Sequence, residues 1–341
     1  MRILYLYQDI PAYGYDRWLR EHFILQISKY RPNYKVLMYG PGVHKVYPKF
    51  CAMPYEEKCT FKKLQKLYRF DVVLIAQKSR MHIVYYPDRE ENETWLFQDF
   101  SELNVPKIVI EEDYHYERDD EWYVQNGINL ILQRHYSQSL REQTIPMRWF
   151  PFSVDPEVFQ PGSSERINKL CLTGSSEGDV YRHRREVYER LSKVHMAEGF
   201  LKRQKIGIDY VKNLQEYVGH INCGSIYEIN PAKCFEIMAS GSVLFTNKFQ
   251  GIDQLFPDNA YCSYKNDLSD VIDQAKRIIN DTDYAQSISN AALDCIYERH
   301  THKQRIDELI RFINSFVKDI NPIRPRIIKK ESVQVAPIIR S

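Results

Sequence analysis

Five short apolar runs in the first 134 residues constrain the fold more than any other feature of this chain. Residues 2–7 (RILYLY), 34–40 (YKVLMYG), 70–77 (FDVVLIAQ), 106–113 (PKIVIEED) and 127–134 (GINLILQR) are dense in Ile, Val and Leu, and segments of helical spacing separate them. A strand with one face in water alternates polar and apolar residues. Unbroken runs predict strands buried on both faces, and so a parallel sheet with helices on each side. Asp16 is placed to cap a helix along which Leu19, Phe23 and Ile27 recur. The pattern restarts with 169–174 (KLCLTG), 204–208 (QKIGI), 220–224 (HINCG) and 242–247 (SVLFTN). Residues 147–169, rich in Pro, Ser and Gly, read as the linker between the two arrays. At 341 residues the chain exceeds one ordinary core. The class expected is α/β, with two doubly wound domains facing each other across a cleft. Their expected spans are 1–150 and 169–320, with a linker at 151–168 and a Pro-containing tail at 321–341. The last helix is free to cross back to the first domain.

Composition narrows the function. Charged residues make up 27% and hydrophobic ones 43%, a globular balance. A formal net charge of +2 argues against bare nucleic acid as the main partner. No apolar stretch is long enough to span a membrane and none near the start reads as a leader, so a cytoplasmic protein is expected. The seven cysteines are scattered without a CxxC pair, which suggests free thiols in a reducing compartment and no zinc site. Charge is uneven: acids crowd residues 88–121 and bases crowd 182–205, for the most part as solvated helix faces.

The segment 224–247 (GSIYEINPAKCFEIMASGSVLFTN) concentrates the chemistry. Asn230 can cap and Pro231 suits a first turn, so a helix should begin near residue 231 with Phe235, Met238 and Ala239 facing the sheet. Gly241 should end it. The N–H groups of such a start, at the positive end of the helix dipole, can hold an anion. Lys233 adds a point charge, and Glu236 can accept bonds from two ribose hydroxyls. Glu228, on the preceding loop, can do the same for a sugar. On local grounds alone, an ordinary capped helix with acids near its start is the better reading.

The same stretch resembles the donor-binding segment of group 1 glycosyltransferases, whose hallmark is E-x7-E followed by an Ala-x-Gly turn and a strand. Glu228 and Glu236 have that spacing, and EIMASG matches the second half. The chain is further similar to the spore maturation protein-like glycosyltransferases. WFPFSVDPEVFQP looks like their interdomain segment, LCLTGSSEGDVYRHRREVYERL like their strand–loop–helix opening, and VIEEDYH like a strand end carrying Asp-x-His. His300, Thr301 and Arg305 match the ending that closes the second domain. The resemblance covers residues 105–315, whereas the first hundred agree only in architecture.

The resemblance implies a GT-B architecture of two Rossmann-like domains. It implies transfer of a sugar from a nucleoside-diphosphate donor, a UDP-sugar, to an acceptor hydroxyl, without a metal or other cofactor and with retention of configuration. Arg184 would face the diphosphate with Lys233, and Glu236 would hold the ribose. Asn230, at the helix start, is assigned to the donor with them, as is Arg182, although the family often has Pro there. Glu228 would hold the transferred sugar, and Asp113 and His115 would lie on the opposite lip near the reacting centre. If the enzyme inverts instead, Asp113 or His115 becomes the general base. The acceptor is left open between a glycan, a small molecule, a protein and modified DNA. Three other readings remain: a metal-dependent transferase using an acid pair such as that in IVIEEDYH, a nucleotide-sugar-binding module without turnover, and a transferase acting on modified bases of DNA.

Overall fold

A computed structural model describes residues 1–6, 23–40, 42–54, 59–76, 99–111, 120–136, 144–162, 165–174, 178–199, 207–224 and 229–320. Six strands form the first sheet: β1 (Arg2–Leu6), β2 (Lys35–Tyr39), β3 (Val72–Ala76), β4 (Lys107–Glu111), β5 (Leu130–Gln133) and β6 (Met147–Trp149). They are parallel throughout, in the order β2-β1-β3-β4-β5-β6. Five more, also all parallel, form a second sheet in the order β11-β10-β9-β7-β8. These are β7 (Ile167–Leu172), β8 (Ala197–Gly199), β9 (Tyr217–Ile221), β10 (Val243–Asn247) and β11 (Cys262–Tyr264). Each sheet reverses its strand order once, at β1/β3 and at β7/β9, and a doubly wound sheet binds ligands at such a reversal.

Both sheets are apolar on both faces, as the unbroken runs require. Ile3 and Tyr5 of β1 enter one core while Leu4 and Leu6 enter the core on the other face. In β10, Leu244 faces one core and Val243 and Phe245 the other. Two elements depart from the expectations. Residues 147–149, read as linker, pair in register with β5 as a sixth strand. Residues 204–208 were expected as a strand, but from Gly207 the chain is helical through Glu216. The second sheet takes 197–199 as its edge instead.

The helix His302–Ile320 crosses back. Ile306, Leu309, Ile310 and Ile313 recur at helical spacing and join Ile3, Tyr5 and Val36 in the core of the first sheet. Burying each such side chain contributes about 1.5–3 kcal/mol. The outgoing and returning chains pair where they pass: Val154 and Thr301 form a parallel bridge, with bonds of 3.0 Å from the Val154 amide to the His300 carbonyl and 2.8 Å from the His302 amide to the Val154 carbonyl. Beside this crossing lies the buried guanidinium of Arg134. It sits 4.9 Å from the rings of Phe23 and Phe150 and 5.1 Å from Phe152, and donates to the Pro151 carbonyl at 3.2 Å. Among the described residues no helix is long and apolar enough to cross a membrane. All seven cysteines are free thiols.

Candidate active site

The carboxyl ends of β7 and β9 flank the reversal of the second sheet, and the helix Ala232–Ala239 starts there. Its N-cap is Pro231, extended at φ −71° and ψ 149°, with no side-chain cap. The Cys234 amide donates to the Pro231 carbonyl at 3.1 Å; the amides ahead of it have no acceptor within a helix, so this end presents donors together with the positive dipole. Phe235, Met238 and Ala239 are core residues, and Gly241 ends the helix at φ +71°, which favours glycine.

Three segments converge at that helix start. The Lys233 ammonium donates to the Thr173 carbonyl at 2.5 Å, just beyond β7. Gly174 follows at φ +108°, and a Cβ there would lie 2.0 Å from Lys233 Nζ and 3.6 Å from Arg184 Nη1. The space that glycine leaves is therefore where two cations meet. Arg184 is only 5% exposed, although it lies in a helix otherwise rich in surface charge. Its guanidinium lies 4.9 Å over the Tyr181 ring and donates to Asn222 Oδ1 at 3.5 Å. Asn222, just past β9, donates from Nδ2 to Cys234 Sγ at 3.1 Å, and its carbonyl accepts from the Tyr264 hydroxyl at 2.9 Å. Glu236, 3% exposed, accepts a hydrogen bond from the Tyr210 hydroxyl. Lys233 Nζ lies 5.7 Å from the Tyr210 ring, so one tyrosine touches both the acid and the base of the helix.

Beneath this group the Thr173 hydroxyl pairs with His220 Nδ1 at 2.9 Å. Burial lowers the His220 pKa to about 3, and the Lys233 and Arg166 charges push it the same way, so the imidazole is neutral at ordinary pH. Burial also raises the Cys234 thiol, against the pull of Arg184. The site is thus a half-buried cationic cradle with one carboxylate beside it, suited to a diphosphate with hydroxyls attached.

Of the residues singled out in the sequence, Arg184, Lys233 and Glu236 come together here. Arg182 does not join them. Its side chain is 70% exposed and pairs with Glu186, one turn on, at 2.8 Å. Asn230 does not cap the helix; its amide donates to the Arg134 carbonyl at 3.0 Å and accepts from the Tyr136 N–H at 3.2 Å, both in the first domain. Asp113, His115 and Glu228 lie outside the described residues. Thr173, Gly174, Tyr210, His220 and Asn222 were not anticipated. For Gly174 the signal was present, a glycine two residues beyond an apolar strand. Tyr210 was hidden because it follows closely on 204–208, a run expected as a strand, and lies in the helix Gly207–Glu216. In the first sheet, Glu111 at the end of β4 accepts from the Tyr123 hydroxyl. Among the described residues no group of three His, Cys, Asp or Glu is placed to hold a metal ion.

Residues 165–311 match a family model described as glycosyl transferase-like. Three solved structures share the fold over nearly the whole chain. A glycosyltransferase from Rickettsia africae ESF-5 superposes with a TM-score of 0.61 at 12% identity, covering 93% of this chain and 99% of its own. The Anabaena protein HepE, solved with UDP, gives 0.60 at 11% identity over 92% and 100%. An alpha-glucosyltransferase solved with UDP-glucose and DNA containing an abasic site gives 0.59 at 11% identity over 92% and 99%. No curated protein matches the chain in sequence.

Proposed function

With residues 165–311 matching a glycosyl transferase-like family model and the described residues on a GT-B frame, we propose that the chain moves a sugar from a UDP-sugar to an acceptor hydroxyl. The observation that carries this reading is the meeting of Arg184 and Lys233 over Gly174, at the uncapped start of the helix that also bears Glu236. In the reaction the bond from the anomeric carbon to the diphosphate breaks and the bond to the acceptor oxygen forms. The acceptor proton passes to the departing phosphate or to a base. Negative charge grows on that phosphate, and fixed cations and amides stabilise it without reorganising. Because Arg184 and Lys233 supply the positive charge, the reading invokes no metal. Glu236, held by Tyr210, takes the ribose hydroxyls. In the retaining course proposed here, Glu228 takes the transferred sugar and the leaving phosphate serves as the base.

The test begins with UDP alone, which should raise the melting temperature of the protein. A panel of nucleotide sugars scored for UDP release then identifies the donor, and turnover should survive EDTA. A wild-type protein that neither binds UDP nor releases it from any donor sinks the proposal. Loss of turnover in EDTA with recovery in manganese removes only its metal-free form.

A further inference from the structure

Asn230 is fully buried, and its carboxamide uses both ends on the backbone of the first domain: Nδ2 on the Arg134 carbonyl and Oδ1 on the Tyr136 N–H. Those residues continue from β5 of the first sheet. Pro231 follows immediately as the N-cap, so the bonded amide stands at the very start of the 232–239 helix. The contact is built from both sides. Gly251 adopts φ +87°, and a Cβ there would lie 2.6 Å from Tyr136 Cβ and Cγ, so the second domain gives way where Tyr136 enters. Gln254 Nε2 donates to the Tyr136 hydroxyl at 2.7 Å, and the Tyr136 ring meets Trp149 of β6 edge-on at 4.9 Å. The neighbouring Arg134 side chain is packed among the aromatic rings of the crossing.

We propose that Asn230 is a positioning residue that registers the start of the nucleotide-binding helix against the carboxyl end of β5, so that turnover depends on its two bonds and nucleotide binding does not. This rests on the proposed glycosyl transfer. A carboxamide donates and accepts at once, whereas leucine can do neither and ionised aspartate cannot donate. The groups assigned to the diphosphate all belong to the second domain, so binding does not need the first. Transfer does, because donor and acceptor must meet at a fixed angle and a small misplacement is costly.

The experiment compares wild type, Asn230→Ala and Gln254→Ala. Calorimetry gives UDP affinity, steady-state UDP release from the best donor of the panel gives kcat and KM, and hydrogen exchange reports on backbone amides. Asn230→Ala should keep UDP affinity within about threefold while kcat falls about tenfold or more at nearly constant KM. Exchange at the Tyr136 amide and at residues 232–234 should rise together. Gln254→Ala, an exposed change that spares the fold, should shift kcat the same way by a smaller factor. Equal losses of UDP affinity and turnover would make Asn230 a donor ligand and overturn the proposal. So would wild-type kcat in a protein that merely melts earlier. If wild type itself binds no UDP, the glycosyltransferase reading fails first. Registration is then read from exchange alone, and unchanged exchange at both segments in Asn230→Ala refutes it.

Discussion

The two sheets of this molecule are built alike, yet their carboxyl edges do different things. At the second, Thr173, Gly174, Arg184, Asn222, Lys233 and Glu236 turn toward one place, and all lie within about sixty residues of sequence. At the first, Glu111 takes the Tyr123 hydroxyl, Gln133 Oε1 takes the His135 amide at 3.2 Å, the His135 ring rests against Phe152 at 5.7 Å, and the backbone of Arg134 and Tyr136 bonds Asn230 of the second domain. The first sheet also completes its core with Ile306, Leu309, Ile310 and Ile313 from the far end of the chain. One domain carries the proposed ligand chemistry in a local cluster. The other carries the joint. The contrast follows from the proposed ligands, because a nucleoside diphosphate asks for the same compact cationic cradle whatever the acceptor.

The largest effect tests that contrast directly. Arg184→Ala combined with Lys233→Ala should lower UDP affinity by more than about two decades, since each charge-assisted bond to a phosphate contributes about 1.5–3 kcal/mol. Glu111→Gln, at the matching edge of the first sheet, should leave UDP affinity unchanged by calorimetry. Comparable losses in both proteins would mean that the nucleotide is shared between the sheets.

How much of this was legible in the sequence depends on the physical signal each part leaves. Strands buried on both faces leave a dense one, which is why β1 to β5 fall inside the five opening runs. Three-residue strands leave almost none. β6 carries Arg148 at its centre and lies among prolines, and β8 is Ala-Glu-Gly. Residues 206–208 (Ile-Gly-Ile) misled, because a short apolar run has no period, and the helix that follows was lost with Tyr210 on it. Lys233 and Glu236 were found through local spacing and resemblance. The partners of Asn230 were not, since a carboxamide beside a proline reads as a cap, and its bonds reach nearly a hundred residues away.

A smaller effect concerns acid. His220 lies under the proposed nucleotide cradle and His300 at the crossing between domains, and both are buried neutral. Burial lowers each to about 3, with Lys233 and Arg166 adding to the shift at His220 and Arg305 at His300. The unfolded chain binds these protons near pH 6.5 and the folded chain does not. Stability from this source is therefore complete above about pH 6.5 and falls as pH drops from there toward 3. Melting temperatures across that window should decline, and His220→Asn, which keeps a partner for Thr173, should flatten the decline. An equal slope in the variant would assign the acid loss elsewhere.

The smallest effect is the most discriminating, because it separates two arginines in one turn of helix. Arg182 and Arg184 are two residues apart, and at about 100° per residue their side chains leave on nearly opposite sides. One is buried against Tyr181 and Asn222. The other stands in solvent with Glu186, where water and salt screen it. Arg182→Ala should therefore keep UDP affinity within about a factor of two of wild type, a surface ion pair being all that is lost. The Glu186 carboxyl, held low mainly by its bond to Arg182, should move back toward the ordinary range. Calorimetry at low and high salt distinguishes a contact from a distant field: a deficit that vanishes in salt is the field of an exposed charge. A tenfold loss that persists in salt would place the Arg182 guanidinium on the diphosphate, and the cradle would then extend onto a face assigned here to water.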